Sequence, residues 1–257
     1  MNDNWINIEG ELISLIDTPK LLRELNLMQI FLRRYFESKY IKNINPTRED
    51  QINYQKSFMK RERILDANDL NSWLIKNNKT EEEMNTLLFK SLCLEIFKRD
   101  QFNSKVERIF LDRKTVLDRV SYYLIRVKSK AKASELYFRL QEEESTFSEL
   151  ASSYSEGVEN LLNGLIGPVE FGNVNLKIAE RLRNSSPGQL WQPFELEGWW
   201  VILRAERFMQ ATLNEAMRNR LINEMYESWI KDKILKTMNE LDKSSEKEKS
   251  NNDQSGN

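Results

Sequence analysis

Apolar positions along the chain follow two different periods, and the switch between them divides the sequence. Behind Thr18-Pro19, an N-cap residue with proline at the first helical position, Leu22, Leu25, Met28 or Gln29, and Leu32 recur at helical spacing. Thr47-Arg-Glu-Asp50 and Thr80-Glu-Glu-Glu83 have capping-box form. The second opens an apolar stripe of Met84, Leu87, Leu88, Leu92 and Ile96. Leu70, Trp73 and Leu74 predict a short helix between them. No strand-like alternation is read before about residue 110, so this zone is expected to be a small helical bundle or arm.

From about residue 116 the character changes. Val120-Ser-Tyr-Tyr-Leu-Ile-Arg-Val127 is β-branched and aromatic and reads as a strand. Helical patterns follow at 131–143 and 146–154. Six of the eight glycines and three of the five prolines then fall between Gly157 and Gly198. Within that stretch Ile166–Phe171 reads as extended, Leu176–Leu182 as helical and Leu190–Leu196 as extended. Gly198-Trp-Trp-Val-Ile-Leu-Arg204 reads as a last strand. The order strand, helix, helix, strand, helix, strand, strand predicts a compact α+β domain.

Thr212-Leu-Asn-Glu215 is read as a third capping box ahead of a long helix. Met217, Leu221, Met225 and Trp229 lie four apart, with Ile222, Ile230 and Ile234 beside them. A lone helix of this kind is marginal in water, so the stripe is expected to dock on the N-terminal helices. From Asp242 the sequence is polar, without apolar residues, and is expected to be a disordered tail.

Composition narrows the chemistry. The 257 residues carry a net charge of −1 from 39 basic and 40 acidic side chains, giving no overall attraction to nucleic acid or an anionic membrane. There is no histidine, which excludes Ser-His-Asp and Cys-His catalysis and His-ligated zinc. The single cysteine, Cys93, lies among Leu92, Leu94 and Ile96 and reads as core. No glycine motif forms a phosphate-binding loop. Ser57-Phe-Met-Lys60 matches S-x-x-K without its partner motifs and reads as chance, and Lys60-Arg-Glu-Arg63 as a solvated helix face. No cofactor or metal is expected. No apolar run approaches the roughly 20 residues of a membrane span. The polar, acidic start of the chain lacks the form of a secretory signal, so a soluble, cytoplasmic protein is expected.

The middle zone resembles the parvulin family of peptidyl-prolyl cis-trans isomerases. Arg119-Val-Ser-Tyr-Tyr-Leu-Ile125 stands where parvulins carry a first strand with a histidine followed by aliphatic residues. Phe147-Ser-Glu-Leu-Ala151, then Tyr154-Ser155, is similar to the family's F-x-x-L-A helix and following serine. Asn163-Gly-Leu-Ile-Gly167 stands in the place of the G-G-D-L-G turn. Ser186-Pro-Gly-Gln189, Pro193 and Gly198-Trp-Trp-Val-Ile-Leu203 are similar to the loop and final strands. The layout as a whole resembles bacterial foldase-chaperones of the SurA and PrsA kind, in which a C-terminal helix completes the N-terminal module. Most such proteins are exported, whereas no export signal is read here.

The resemblance implies an α+β fold: a helical N-terminal module completed by a C-terminal helix, with an inserted parvulin-like domain of four antiparallel strands flanked by helices. The expected bounds are 1–114 for the module, 115–209 for the inserted domain, 210–241 for the helix and 242–257 for the tail. It also implies peptidyl-prolyl isomerisation, a rotation over a barrier of roughly 18–20 kcal/mol that needs no covalent step. The family's two histidines fall on Tyr122 (Tyr123 if the register slips by one) and Trp200, and its cysteine or aspartate on Gly157. Its methionine or leucine position falls on Val174 and its phenylalanine on Ile178, as pocket wall or sheet-covering core. Tyr122, Tyr154, Val174, Ile178 and Trp200 are therefore the expected peptide contacts, with no catalytic residue confirmed among the altered positions. Losing groups that favour the transition state lowers rate more than ground-state binding. The expectation is thus a folding helper, weak or inactive in catalysis, that binds unfolded or proline-containing polypeptides. The alternative is a structural adaptor for one fixed partner.

Overall fold

In a computed structural model, residues 4–8, 11–14 and 18–254 are described, with side chains from 18 to 243. The elements in order are β1 (Asn4–Ile8), β2 (Glu11–Ser14), α1 (Thr18–Glu24), α2 (Met28–Ile41), α3 (Arg48–Glu62), α4 (Ala67–Lys76) and α5 (Glu81–Phe102). Then come α6 (Val106–Leu117), β3 (Arg119–Val127), α7 (Lys130–Gln141), α8 (Phe147–Tyr154), β4 (Leu165–Glu170), α9 (Leu176–Arg183), β5 (Leu190–Leu196), β6 (Trp199–Met209) and α10 (Glu215–Gln254). The chain divides into two compact units, residues 1–106 with 218–257, and residues 107–217 inserted between them.

The first unit is helical, with one departure from expectation: β1 and β2 pair antiparallel, Ile8 opposite Glu11. Ile6 and Ile8 alternate with Asn7 there, a period of two. A five-residue pattern is too short to stand out against the helical periods that follow it.

The capping boxes at Thr47 and Thr80 both form, each hydroxyl accepting from the third backbone N–H and each acid answering to the cap. Cys93 is buried, and burial pushes its thiol up, as a packed rather than reactive sulfur requires.

The helix α10 docks on this unit through aromatics. The Trp229 ring lies 5.0 Å from Tyr40, 5.7 Å from Phe97 and 6.0 Å from Phe102, centroid to centroid. Tyr226, buried completely, is the largest enclosed side chain of the docked face. Two details differ from expectation. The cap of α10 is Asn214, whose Oδ1 accepts from the Met217 N–H at 2.9 Å, not Thr212. The polar stretch after Asp242, expected as a disordered tail, is helix through Gln254. From 215 to 254 the sequence holds no glycine or proline, and its Glu, Lys and Gln are good helix formers, so nothing local stops the helix.

The inserted unit, 107–217, takes in most of α6 and the segment after β6 beyond the expected 115–209. Asp118 Oδ1 accepts from the Ala211 N–H at 2.7 Å, and Arg183 Nη2 donates to the Thr115 carbonyl at 3.4 Å. Its four strands form one antiparallel sheet in the order β4-β3-β6-β5. Both edge strands carry a proline, Pro168 in β4 and Pro193 in β5, each where the register slips. Edges and bulges are the places where a missing N–H costs no ladder bond.

The sheet is covered on both faces, and alternation decides which residue faces which. Val120, Tyr122 and Leu124 of β3, with Val201, Leu203 and Ala205 of β6, form a core with Ile178, Ala179 and Leu182 of α9. Ile125 and Val127, with Ile202, pack instead against Ala133 and Leu136 of α7 and Phe147, Leu150 and Ala151 of α8. The first, here called the α9 face, carries the candidate site.

Candidate functional site

The site is built where the α9 face meets the β5–β6 turn. That turn is two residues long, with Leu196 paired to Trp199 and both Glu197 and Gly198 in the left-handed region at φ +53° and +78°. Such a primed turn suits glycine at Gly198 and is unfavourable for glutamate. Glu197 is anchored there by the Asn175 amide, which donates to its Oε1 at 3.0 Å from the N-cap of α9.

Trp199 follows the turn, half-buried against the α9-face core. The Lys128 ammonium lies 3.5 Å from its ring centroid and the Arg126 guanidinium 5.9 Å. Two cations on one indole are a strong quadrupole contact.

Arg126 also grips Glu159, its Nε at 3.0 Å from Oε1 and its Nη2 on Oε2. Glu159 is 2% exposed, and Ser155 donates its hydroxyl to Oε1 at 2.6 Å while accepting the Arg126 backbone N–H at 3.0 Å. Burial pushes the Glu159 carboxyl up, but the bonds from Arg126 and Ser155 outweigh it and hold the group below its ordinary value. The same bond raises Arg126 further. Tyr122 is buried next to this pair. Burial raises its phenol, with Arg126 lowering it and Glu159 raising it, so the hydroxyl keeps its proton at neutral pH.

Gly157 is where the ion pair leaves its mark. A Cβ at this position would lie 2.3 Å from Glu159 Oε2 and 2.4 Å from Arg126 Nη2. The place that the resemblance gives to a cysteine or aspartate therefore has no room for a side chain, because the Arg126–Glu159 pair fills it.

Tyr122, Val174 and Ile178 come together on the α9 face as expected of neighbours, with Ile178 and Tyr122 buried in the same core. Trp200 does not join them. It packs on the opposite face, against the core under α7 and α8, with Lys130 5.0 Å from its ring. The member of the tryptophan pair that lies on the α9 face beside Tyr122 is Trp199, one residue earlier. From Trp199 to Ala205 the odd-numbered residues of β6 point to α9 and the even-numbered ones away, until the register slips between Ala205 and Arg207. Tyr154 also stands apart, half-exposed with Lys132 4.2 Å and Arg139 5.7 Å from its ring. Tyr123, the alternative register, likewise packs on the α7–α8 face.

Sequence reasoning missed Arg126, Glu159 and Trp199. Arg126 carried a signal, since a charge inside a strand buried on both faces demands a partner. It also missed that the turn of helix at 158–162 inserts Glu159 while exposing Val158, Leu161 and Leu162.

This architecture, a four-stranded antiparallel sheet of order β4-β3-β6-β5 flanked by helices, is that of a parvulin-type domain, inserted in the sequence between two parts of a helical unit. Residues 125–207 match the family model for the rotamase, PPIC-type peptidyl-prolyl isomerase domain, and the sheet unit is a domain of that family. No curated protein sequence matches the chain.

Among solved structures, the chain is similar to the peptidylprolyl isomerase PrsA from Bacillus cereus, with 18% identity over 91% of this chain and 92% of that one and a TM-score of 0.46. It is similar to the foldase PrsA from Streptococcus pneumoniae, with 12% identity over 92% and 94% and a TM-score of 0.43. It is also similar to a structure of the SurA-like chaperones from Campylobacter jejuni, with 17% identity over 92% and 97% and a TM-score of 0.35. Among the described residues, no helix is long and apolar enough to cross a membrane.

Proposed function

We propose that this parvulin-type domain serves a folding helper that holds extended or proline-containing polypeptide on its α9 face, with isomerisation weak or absent. The observation that carries the reading is the Arg126–Glu159 pair. The polar cluster that the resemblance assigns to catalysis is replaced by an ion pair whose donors are turned inward.

Isomerising an Xaa-Pro bond requires an apolar seat for the ring and polar groups that favour the twisted amide over the planar one. The apolar part persists here. Trp199 offers an aromatic face, and Val158, Leu161 and Leu162 stand exposed on the loop whose Glu159 is tied to Arg126. The polar part is spent within the protein, since Arg126 and Ser155 both bond Glu159. Groups already satisfied in the free protein have little to offer a transition state, while apolar contacts serve ground-state binding as well as before.

Two-dimensional exchange NMR on a labelled Ala-Pro peptide tests this. Peptide signals that shift or broaden with substoichiometric protein, without cis–trans exchange peaks, are the expected result. Strong exchange peaks would establish a fast histidine-free isomerase and overturn the claim of weak catalysis. Neither effect would overturn peptide binding and leave a dedicated adaptor for one partner.

A further inference from the structure

At the end of the β3–β6 strand pair away from Trp199 lies a cavity of about 280 Å³, lined by Thr115, Arg119, Phe171, Arg183, Ser185 and Phe208, with Asp118, Met209 and Gln210 completing it. Arg119 pairs with Met209 in the sheet, whereas Val127 pairs with Trp200, so the two regions are separated by the length of β3, roughly 25 Å at about 3.3 Å per residue. The cavity thus lies at the far end of the α9-face core from the Trp199 site.

Its floor is aromatic. Phe171 and Phe208 stack with ring planes 6° apart and centroids 6.4 Å apart. Its rim is cationic. The Arg183 guanidinium lies 5.1 Å from the Phe171 centroid, and its one hydrogen bond goes to the Thr115 carbonyl. Arg119 Nη2 donates to the Pro168 carbonyl at 2.8 Å. Among the described residues, neither guanidinium is ion-paired. The one acid in the lining, Asp118, is neutralised by Lys114 at 2.9 Å and accepts the Ala211 N–H. Each arginine has five N–H donors, of which these bonds use one.

We infer that this cavity is a binding site for a carboxylate attached to a flat apolar group. Two unpaired guanidiniums beside the half-buried Phe208 ring, which is stacked on the buried Phe171, match both halves of such a ligand, a planar fork for the carboxylate and the open part of Phe208 for the body. The volume, at the low end for ligand pockets, suits one residue-sized molecule. Two sources share that chemistry: the C-terminal carboxylate of a polypeptide ending in an aromatic residue, and a free aromatic acid.

Amide shift mapping on the full ¹⁵N-labelled chain tests the assignment with four probes: N-acetyl-phenylalanine, its amide, a tetrapeptide ending in free phenylalanine, and inorganic phosphate. The expected result is saturable shifts at Ser185, Phe208 and Met209 with both carboxylates, none with the amide, and no change at Trp199. Arg183→Gln and Arg119→Gln, both at exposed side chains, are each expected to weaken binding at least about tenfold. A tetrapeptide at least about tenfold tighter than the free acid would make the chain terminus the ligand, and equal affinities the free acid. Absence of saturation up to about 10 mM, binding untouched by both substitutions, or phosphate binding as tightly as the acids would each overturn the assignment.

Discussion

Trp199 and Trp200 are adjacent in the chain and packed on opposite faces of the sheet. Trp199 lies under Lys128 on the α9 face, and Trp200 against the core beneath α7 and α8. Their substitutions should therefore separate binding from stability. Trp199→Ala is expected to weaken proline-peptide binding about tenfold, the loss of one aromatic contact of about 1.4 kcal/mol, with a modest effect on folding. Trp200→Ala should leave peptide affinity within about twofold and destabilise the domain by about 2–3 kcal/mol, since its ring is only part-buried. Peptide titrations and urea unfolding of the two variants check this, and the reverse pattern would move the site to the other face.

The Glu159 carboxyl sits below its ordinary value in the folded protein, so its contribution has a definite pH direction. A depressed carboxyl stabilises the fold fully above its unfolded pKa, about 4.3 for glutamate, and loses that stabilisation as pH falls through the folded value. The inserted unit should accordingly weaken in acid below about pH 4.3. Glu159→Gln should flatten that acid limb and cost about 3 kcal/mol at neutral pH. This is the low end for breaking a buried pair, because Arg126 keeps some solvent contact. Urea midpoints of both proteins between about pH 3 and 7 measure both effects. An unchanged acid limb would mean that Glu159 is not the titrating group.

Gly157 and Glu159 should be coupled. A methyl group at 157 displaces the Glu159 and Arg126 side-chain ends, which three hydrogen bonds hold in place. Gly157→Ala is expected to cost about 2–3 kcal/mol alone and less than about 1 kcal/mol in a Glu159→Ala background, a coupling at the upper end for contacting residues. Additive losses in the double-mutant cycle would remove the ion pair as the reason for glycine here.

What the sequence showed and what it hid follow from the range of each signal. Helices with capping boxes were legible because Thr47–Asp50 and Thr80–Glu83 are complete within four residues. Strands β3 and β6 were legible from β-branched and aromatic runs. The pairing of Arg126 with Glu159 was not, because the two are 33 residues apart and meet only once a turn of helix carries Glu159 under the sheet. The face of each tryptophan was lost for a different reason. A period of two sends neighbouring residues of a strand to opposite faces, so which of Trp199 and Trp200 meets α9 depends on the sheet and not on the pair itself. The strand pair at the N-terminus was hidden by brevity, and the cap of α10 by the capping-box form of Thr212–Glu215, which drew the reading to Thr212 although Asn214 makes the bond.

In the helical unit, Tyr226 separates packing from polar contributions. Its ring is enclosed by Phe102, Trp229 and the Lys98 ammonium, the last 4.4 Å from the centroid. Its hydroxyl donates to Glu37 Oε1 over 3.4 Å, a long bond for an O–H donor. Glu37 meanwhile holds two shorter bonds, from Arg33 Nε at 3.0 Å and Arg34 Nη1 at 2.9 Å. Removing the hydroxyl therefore leaves the carboxylate satisfied, and Tyr226→Phe should cost less than about 1 kcal/mol. Tyr226→Ala empties a fully enclosed site between α10, α2 and α5 and should cost about 3–5 kcal/mol. Hydrogen exchange of α2 and α10 amides reads the two cases within this unit, without requiring that the whole chain unfold in one step. Faster exchange throughout both helices in the alanine variant, with the phenylalanine variant near wild type, is the expected outcome. Equal acceleration in both would mean that the hydroxyl, not the ring, holds the C-terminal helix in place.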